Sequence, residues 1–238
     1  MKLQLVTHCW NYGRLLTYQL SSFVLYPPKK LSLTVTTFYN EEDERTCEVL
    51  DYFGQQEIAN VTWDWWKVEK GKLFRRAIGR NMVALSNQAD WVWFTDCDQV
   101  FHQGCLDALP NQLDHCDSDL VFPEYVSVSK HHDKRSSIFD DLEQKACLLD
   151  IAPEDFSPQR HTRAIGALQI VRGSVLRETG YCKDIPKYMK PPKRWSKTYE
   201  DVSFRKTLGT DGTPIDLPGL FRIEHRTKGR KRLHAAQL

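Results

Sequence analysis

A chain of 238 residues is long enough for one large domain or two small ones, and 7 Trp, 9 Tyr and 11 Phe supply a packed core. Its 33 basic and 31 acidic side chains leave a formal charge of +2, which excludes bulk-charge polyanion binding as the basis of its function. No apolar stretch approaches the ~20 residues of a membrane span, and Met1-Lys2-Leu3-Gln4-Leu5-Val6 reads as a buried strand rather than a signal peptide. Seven cysteines without a Cys-x-x-Cys pair read as reduced thiols and predict a cytoplasmic location.

Taken in chain order, Leu3 to Cys9 reads as a strand and Arg14 to Tyr26 as an amphipathic helix stopped by Pro27-Pro28. Leu31 to Tyr39 is β-rich, and Glu41 to Gln56 follows as a helix with acids in its first turn. Val61 to Val68 reads as an aromatic strand, Leu73 to Gln88 as a helix, Trp91 to Thr95 as a strand and Cys105 to Leu113 as a short helix. Leu120 to Val128 reads as one strand and Ser136 to Asp150 as another helix. Beyond Ile151 the prolines at 153, 158, 186, 191 and 192 predict loops and short strands walling a cleft, with a helix near Glu200 to Leu208. This alternation predicts an α/β fold whose mainly parallel sheet is flanked by helices on both faces. Ligands of such sheets bind beyond the carboxyl ends of the strands. Thr7 to Cys9, Phe38 to Asn40 and Asp96 to Asp98 all lie at such ends.

The densest chemical signal is Trp91-Val92-Trp93-Phe94-Thr95-Asp96-Cys97-Asp98, an apolar strand ending in two carboxylates one residue apart. Two anions at one strand end call for a cation, and hard Mg²⁺ or Mn²⁺ with a substrate diphosphate would supply it. A solvated loop, or a helix N-cap pair for Gly104 onward, is the plainer reading. Arg76 and Arg80 are spaced i,i+4 on one helix face. They are either phosphate- or base-recognising guanidiniums or ordinary surface charges. Glu200 and Asp201 open a helix, where the dipole favours acids and where a carboxylate could also act as general base. His225 ends a strand-like stretch and is either structural or a ligand. Thr162 to Arg172 places small residues, including Gly166, before a strand, which lets backbone approach a ligand. Six basic residues against Glu224 between Arg222 and Arg232 read as a solvated tail, a phosphate-contacting flap or an interaction tail.

In this order the segments resemble the nucleotide-diphospho-sugar transferases of the GT-A fold, especially the large family 2 type, across Leu3 to His225. Leu5-Val6-Thr7-His8-Cys9-Trp10-Asn11 is similar to that family's first strand and nucleotide-binding turn, and Arg76-Ala77-Ile78-Gly79-Arg80-Asn81 to its Arg-Asn helix. Asp96-Cys97-Asp98 matches its Asp-x-Asp motif, Gly166-Ala167-Leu168 its small-residue segment near the acceptor, Glu200-Asp201 its Glu-Asp motif and His225 its C-terminal metal histidine. The second strand departs from the pattern, ending Phe38-Tyr39-Asn40-Glu41-Glu42-Asp43 in place of Asp-Asp-Gly-Ser.

The resemblance implies a single GT-A domain over 1–238, with a nucleotide-sugar-binding half (1–128), an acceptor-binding half (129–225) and a basic tail (226–238). It implies a metal-dependent, inverting glycosyltransferase with Asp201 as general base. Asp98 and His225 would hold Mn²⁺ or Mg²⁺, with Asp96 on the metal side or on the donor ribose. Thr7, Cys9, Tyr39, Arg76 and Arg80 would contact the donor, and Gly166 and Glu200 the acceptor. The expected partners are a nucleotide-diphospho-sugar and a glycan, lipid-linked or other hydroxyl acceptor, without nucleic acid. The tail would close over the diphosphate or touch an anionic membrane surface. Two alternatives remain open at this point: a nucleotidyltransferase of related fold, and a non-catalytic anion- or glycan-binding module.

Overall fold

The structure is a computed structural model that describes residues 1–114, 116–132, 145–194 and 198–225. The basic tail, and the larger part of the helix expected from Ser136 to Asp150, lie outside the described residues; 145–150 carry no regular structure.

Seven strands form the main sheet in the order β10-β6-β9-β4-β1-β2-β3. In chain order these are β1 (Lys2–His8), β2 (Ser32–Tyr39), β3 (Val61–Lys67), β4 (Trp91–Phe94), β6 (Leu120–Pro123), β9 (Gln169–Arg172) and β10 (Thr213–Ile215). Only β9 runs antiparallel, between β4 and β6. The mainly parallel α/β sheet expected from the sequence is therefore present. β4 is buried along its whole length, and Trp93 and Phe94 are wholly enclosed, as strands covered on both faces require.

A second sheet, unforeseen in the sequence, has the order β5-β11-β7-β8. Its strands are β5 (Gln99–Phe101), β7 (Tyr125–Ser129), β8 (Phe156–Arg160) and β11 (Leu220–Arg222). The single strand expected over Leu120 to Val128 is two strands, split at Glu124, one in each sheet. At the split the Glu124 amide donates to the Ile215 carbonyl at the end of β10, the neighbour of β6, and its carbonyl accepts from the His161 amide just past β8, the neighbour of β7, so the residue hands the chain from one sheet to the other.

The helices are α1 (Gly13–Leu25), α2 (Glu44–Gly54), α3 (Lys70–Phe74), α4 (Arg76–Ser86), α5 (Cys105–Leu113), α6 (Gly173–Thr179), α7 (Pro186–Met189) and α8 (Glu200–Leu208). The helix expected over Leu73 to Gln88 breaks at Arg75, whose backbone is extended (φ −108°, ψ 80°), so α4 starts afresh at Arg76. That break puts Arg76 and Arg80 in the first turns of a helix that packs on β1, α3, α6 and α7. No helix among the described residues is long and apolar enough to cross a membrane.

Two local devices position the strand ends. Gln19 is fully buried on α1 among Leu15, Leu16, Leu20, Ser22 and Phe23. Its Nε2 donates to the Asp96 carbonyl (2.8 Å) and the Gln99 carbonyl (3.2 Å), pinning both ends of the turn that joins the two sheets. At the end of β1, the Asn11 amide donates to Asp43 Oδ2 (2.6 Å), and the same carboxylate caps α2 through Thr46. Asn11 itself adopts φ 58°, a left-handed conformation that Asn tolerates.

Helix α4 crosses the end of β1 so closely that a Cβ on Gly79 would sit 2.3 Å from His8 Nε2 and 3.1 Å from Phe38. The His8 ring stacks on Phe38 at 4.6 Å, so it has no room to withdraw. Gly79→Ala is therefore expected to destabilise the fold by about 1–3 kcal/mol, read as a lowered urea midpoint at unchanged slope. An unchanged midpoint would mean that α4 does not lie against β1 as described.

Candidate active site

The two sheets meet at one turn, and that turn carries the carboxylates. The chain leaves β4 at Phe94, makes a turn closed by the Gln99 amide on the Asp96 carbonyl (3.2 Å), and enters β5. The site therefore sits at the carboxyl end of a central parallel strand, where the alternation of elements predicted it.

Asp96 faces α4. Its Oδ1 accepts from Arg76 Nη1 at 2.5 Å and lies 4.0 Å from Arg80 Nη2. Arg76 also reaches α8, with Nε 3.4 Å from Glu200 Oε1. Glu200 is 1% exposed; its Oε2 accepts a hydrogen bond from the Thr198 hydroxyl, while Oε1 has no hydrogen bond among the described residues. Burial by itself pushes the Glu200 carboxyl up, yet Arg76, Arg80 and Thr198 together hold it below the usual glutamate value. Asp96 foremost, with Glu200, holds the Arg76 guanidinium above its ordinary value against burial.

Arg80 is fully enclosed. Nη1 donates to the Tyr181 hydroxyl (2.8 Å), Nη2 donates to the Gly166 carbonyl (2.7 Å), and the guanidinium lies 5.4 Å from the Phe94 ring centre. Tyr181 passes the chain on to Gln169 Oε1 (2.9 Å). Burial raises the Tyr181 phenol well above its ordinary value, so it stays a neutral donor. Gly166 faces the neighbouring acid: a Cβ there would lie 3.7 Å from Asp201 Cβ. Asp201 is partly exposed, with Oδ2 3.6 Å from Arg205 Nη1 one helical turn on; Arg205 is buried and also bonds the Ala164 carbonyl and Asp211.

Asp98 faces the other way, toward the second sheet. Pairing of β5 with β11 brings the Ile223 amide onto the Asp98 carbonyl (2.9 Å), and two residues later His225 Nε2 lies 3.6 Å from Asp98 Oδ2. Tyr12 packs edge-on against the His225 ring at 5.2 Å. Asp98 Oδ1 is buried without a hydrogen-bond partner among the described residues. An orphaned carboxylate oxygen beside an imidazole nitrogen is a donor pair that suits a hard divalent cation completing its shell with water and phosphate oxygens. Among the described residues no group of three or more His, Cys, Asp or Glu side chains is placed to hold a metal ion.

The structure thus brings Arg76, Arg80, Asp96, Gly166, Glu200 and Asp201 into one connected cluster, with Asp98 and His225 beside it. Thr7 and Cys9 stand apart in the core: both are fully buried, and the Cys9 thiol lies 3.2 Å from Thr46 Oγ1. Cys97 points inward as well, its thiol held well above its ordinary value by a hydrogen bond with Cys9 and by burial. Tyr39 is half-buried at the end of β2, its carbonyl taken by the Val68 amide. Sequence reasoning missed Gln19, Tyr181 and Arg205. A polar residue among the leucines of α1 signals the first, and i,i+4 spacing from Asp201 the third; nothing local marks Tyr181.

No protein-family model and no curated protein matches the chain. Solved structures do. S. aureus TarS 1–349 in complex with UDP-GlcNAc superposes with a TM-score of 0.56 at 13% identity, covering 98% of this chain and 61% of that one. The same protein in complex with UDP gives 0.54 at 14% identity, covering 96% and 58%. The longer S. aureus TarS structure gives 0.52 at 14% identity, with 96% of this chain on 35% of that one. The chain therefore spans about three-fifths or less of the TarS chains it matches. At such identity the likeness is one of fold, and with the seven-stranded sheet and its flanking helices it establishes that this chain has the GT-A glycosyltransferase fold.

Proposed function

We propose that the chain is a glycosyltransferase that moves a sugar from a nucleotide-diphospho-sugar to an acceptor hydroxyl. The observation that carries this reading is that, at one strand end of a GT-A fold, a metal-type pair (Asp98 and His225) and a partly exposed carboxylate (Asp201) flank the Asp96–Arg76–Glu200 ion-pair cluster. UDP-GlcNAc and UDP are bound by TarS, the structural neighbour, which supports a nucleotide-sugar donor here.

Asp98 and His225 would hold Mn²⁺ or Mg²⁺, which when bound supplies positive charge against the diphosphate as it leaves. Asp96, fixed by Arg76, is oriented to accept from a ribose hydroxyl of the donor. Asp201 takes the proton from the acceptor hydroxyl as that oxygen attacks the anomeric carbon, which gives single displacement with inversion. Arg205 fixes the Asp201 carboxylate from one turn along α8, and Gly166 leaves its outer side open because no side chain projects there. The acceptor is a glycan, a lipid-linked saccharide or another hydroxyl compound.

Thermal-shift titration with UDP is expected to show stabilisation that grows with Mn²⁺ in the wild type and loses its Mn²⁺ dependence in Asp98→Ala and in His225→Ala. Mn²⁺ dependence that survives both substitutions would remove the metal assignment. Asp201→Asn is expected to keep UDP binding while lowering transfer about 10²–10⁴-fold. Full transfer in that variant would transfer the base role elsewhere and leave the fold untouched.

A further inference from the structure

Arg76 was expected at the donor, but its guanidinium is engaged by protein on two sides. Nη1 meets Asp96 at the end of β4, and Nε meets Glu200 in the first turn of α8. Those two acids are 104 positions apart in the chain and belong to different elements: Asp96 adjoins Asp98 in the turn after β4, and Glu200 adjoins Asp201 at the start of α8. We propose that Arg76 is a positioning residue that ties Asp96 to Glu200 and so fixes the donor side of the site relative to the helix that carries Asp201. The role in the reaction rests on the glycosyltransferase reading above; the tie itself does not.

Three features make the tie specific to a guanidinium. Arg presents separated donors in a rigid plane, whereas Lys concentrates its charge at one point and cannot face two carboxylates on opposite edges in the same way. Glu200 is almost wholly buried and one of its oxygens lacks a hydrogen bond, so Arg76 is the charge partner nearest to that oxygen. The other contacts of the first turn of α8 do not join its carboxylate to the Asp96 side chain: Cys182 Sγ donates to the Glu200 carbonyl (3.3 Å), Thr198 to the Glu200 carboxylate, and Gln169 Nε2 of β9 to the Asp201 carbonyl (3.4 Å). Arg80, the other cation, is spoken for by Tyr181 and Gly166 and stands 4.0 Å from Asp96. A near-attack arrangement of acceptor oxygen, anomeric carbon and base depends on the separation that Arg76 spans, so loss of the tie acts on turnover more than on donor affinity.

The test uses the full chain as Arg76→Lys, Arg76→Gln, Glu200→Gln and the double variant Arg76→Gln/Glu200→Gln. UDP binding with Mn²⁺ is measured by calorimetry, UDP release from the nucleotide-sugar as turnover, and melting for all five proteins. Arg76→Lys is expected to lower turnover about 10–100-fold while UDP affinity changes less than about threefold. Arg76→Gln is expected to melt below the double variant, because only the single variant buries a carboxylate without its partner. A fall in UDP affinity that matches the fall in turnover would mean that Arg76 touches the donor and would overturn the proposal. So would wild-type turnover in a variant of lowered melting temperature, or melting shifts that simply add. A wild type that binds no UDP and turns over no nucleotide-sugar defeats the glycosyltransferase reading; the melting cycle still decides whether Arg76 and Glu200 are tied.

Discussion

Arg80 and Glu200 are withdrawn from water almost completely, and each carries a charge that burial alone would make costly by several kcal/mol. They are tolerated because Arg76 and Asp96 complete a balanced set of two cations and two anions where the end of β4 and the first turns of α4 and α8 meet. Tyr181 and Gly166 accept from the two Arg80 Nη groups and Thr198 donates to Glu200, while Arg80 Nε and Glu200 Oε1 are left without a hydrogen bond among the described residues. Three segments distant in sequence are thereby held in one geometry, and every proposed site residue except His225, Asp98 and the outlying Thr7, Cys9 and Tyr39 belongs to it or touches it.

The second constraint is the passage of the chain from one sheet to the other within the Asp96–Gln99 turn. A chain that stayed in the main sheet would leave Asp96 and Asp98 pointing into similar surroundings. By crossing, it turns Asp96 toward the arginines of α4 and Asp98 toward β11 and His225. Gln19 makes the crossing rigid from beneath. The different surroundings of two carboxylates one residue apart are thus a consequence of topology, and they do not depend on any difference in the chemistry of the two side chains.

What the sequence made legible follows from how local each signal is. Helices α5 and α8 were readable to the residue, because helical periodicity is local in each and acids mark the start of α8. That β1, β2, β3 and β4 run parallel was readable because β–α alternation calls for crossover connections, whereas their order in the sheet was not. The second sheet was not: β5 and β11 are three residues each, too short for periodicity, and they exist through pairing with partners about 120 positions away. The break at Arg75 was invisible for a similar reason, since Leu73 to Gln88 keeps a helical pattern across it and only packing of α3 and α4 shows the extended residue. Spacing put Arg76 and Arg80 on one face, but spacing is silent on whether a guanidinium faces ligand or protein. It took Asp96, Tyr181, Gly166 and Glu200 to show that both arginines are used internally.

Sugar transfer and nucleotidyl transfer both suit a metal and carboxylates at the end of a parallel strand, and they differ in which phosphorus–oxygen or carbon–oxygen bond breaks. The products report that difference directly. Phosphorus NMR of the full chain incubated with Mn²⁺ and a nucleotide-sugar, UDP-GlcNAc first, should show the nucleoside diphosphate growing in as the donor disappears. Release of sugar 1-phosphate or of a nucleoside monophosphate, or a donor left intact across the nucleotide-sugars that stabilise the protein, would contradict it.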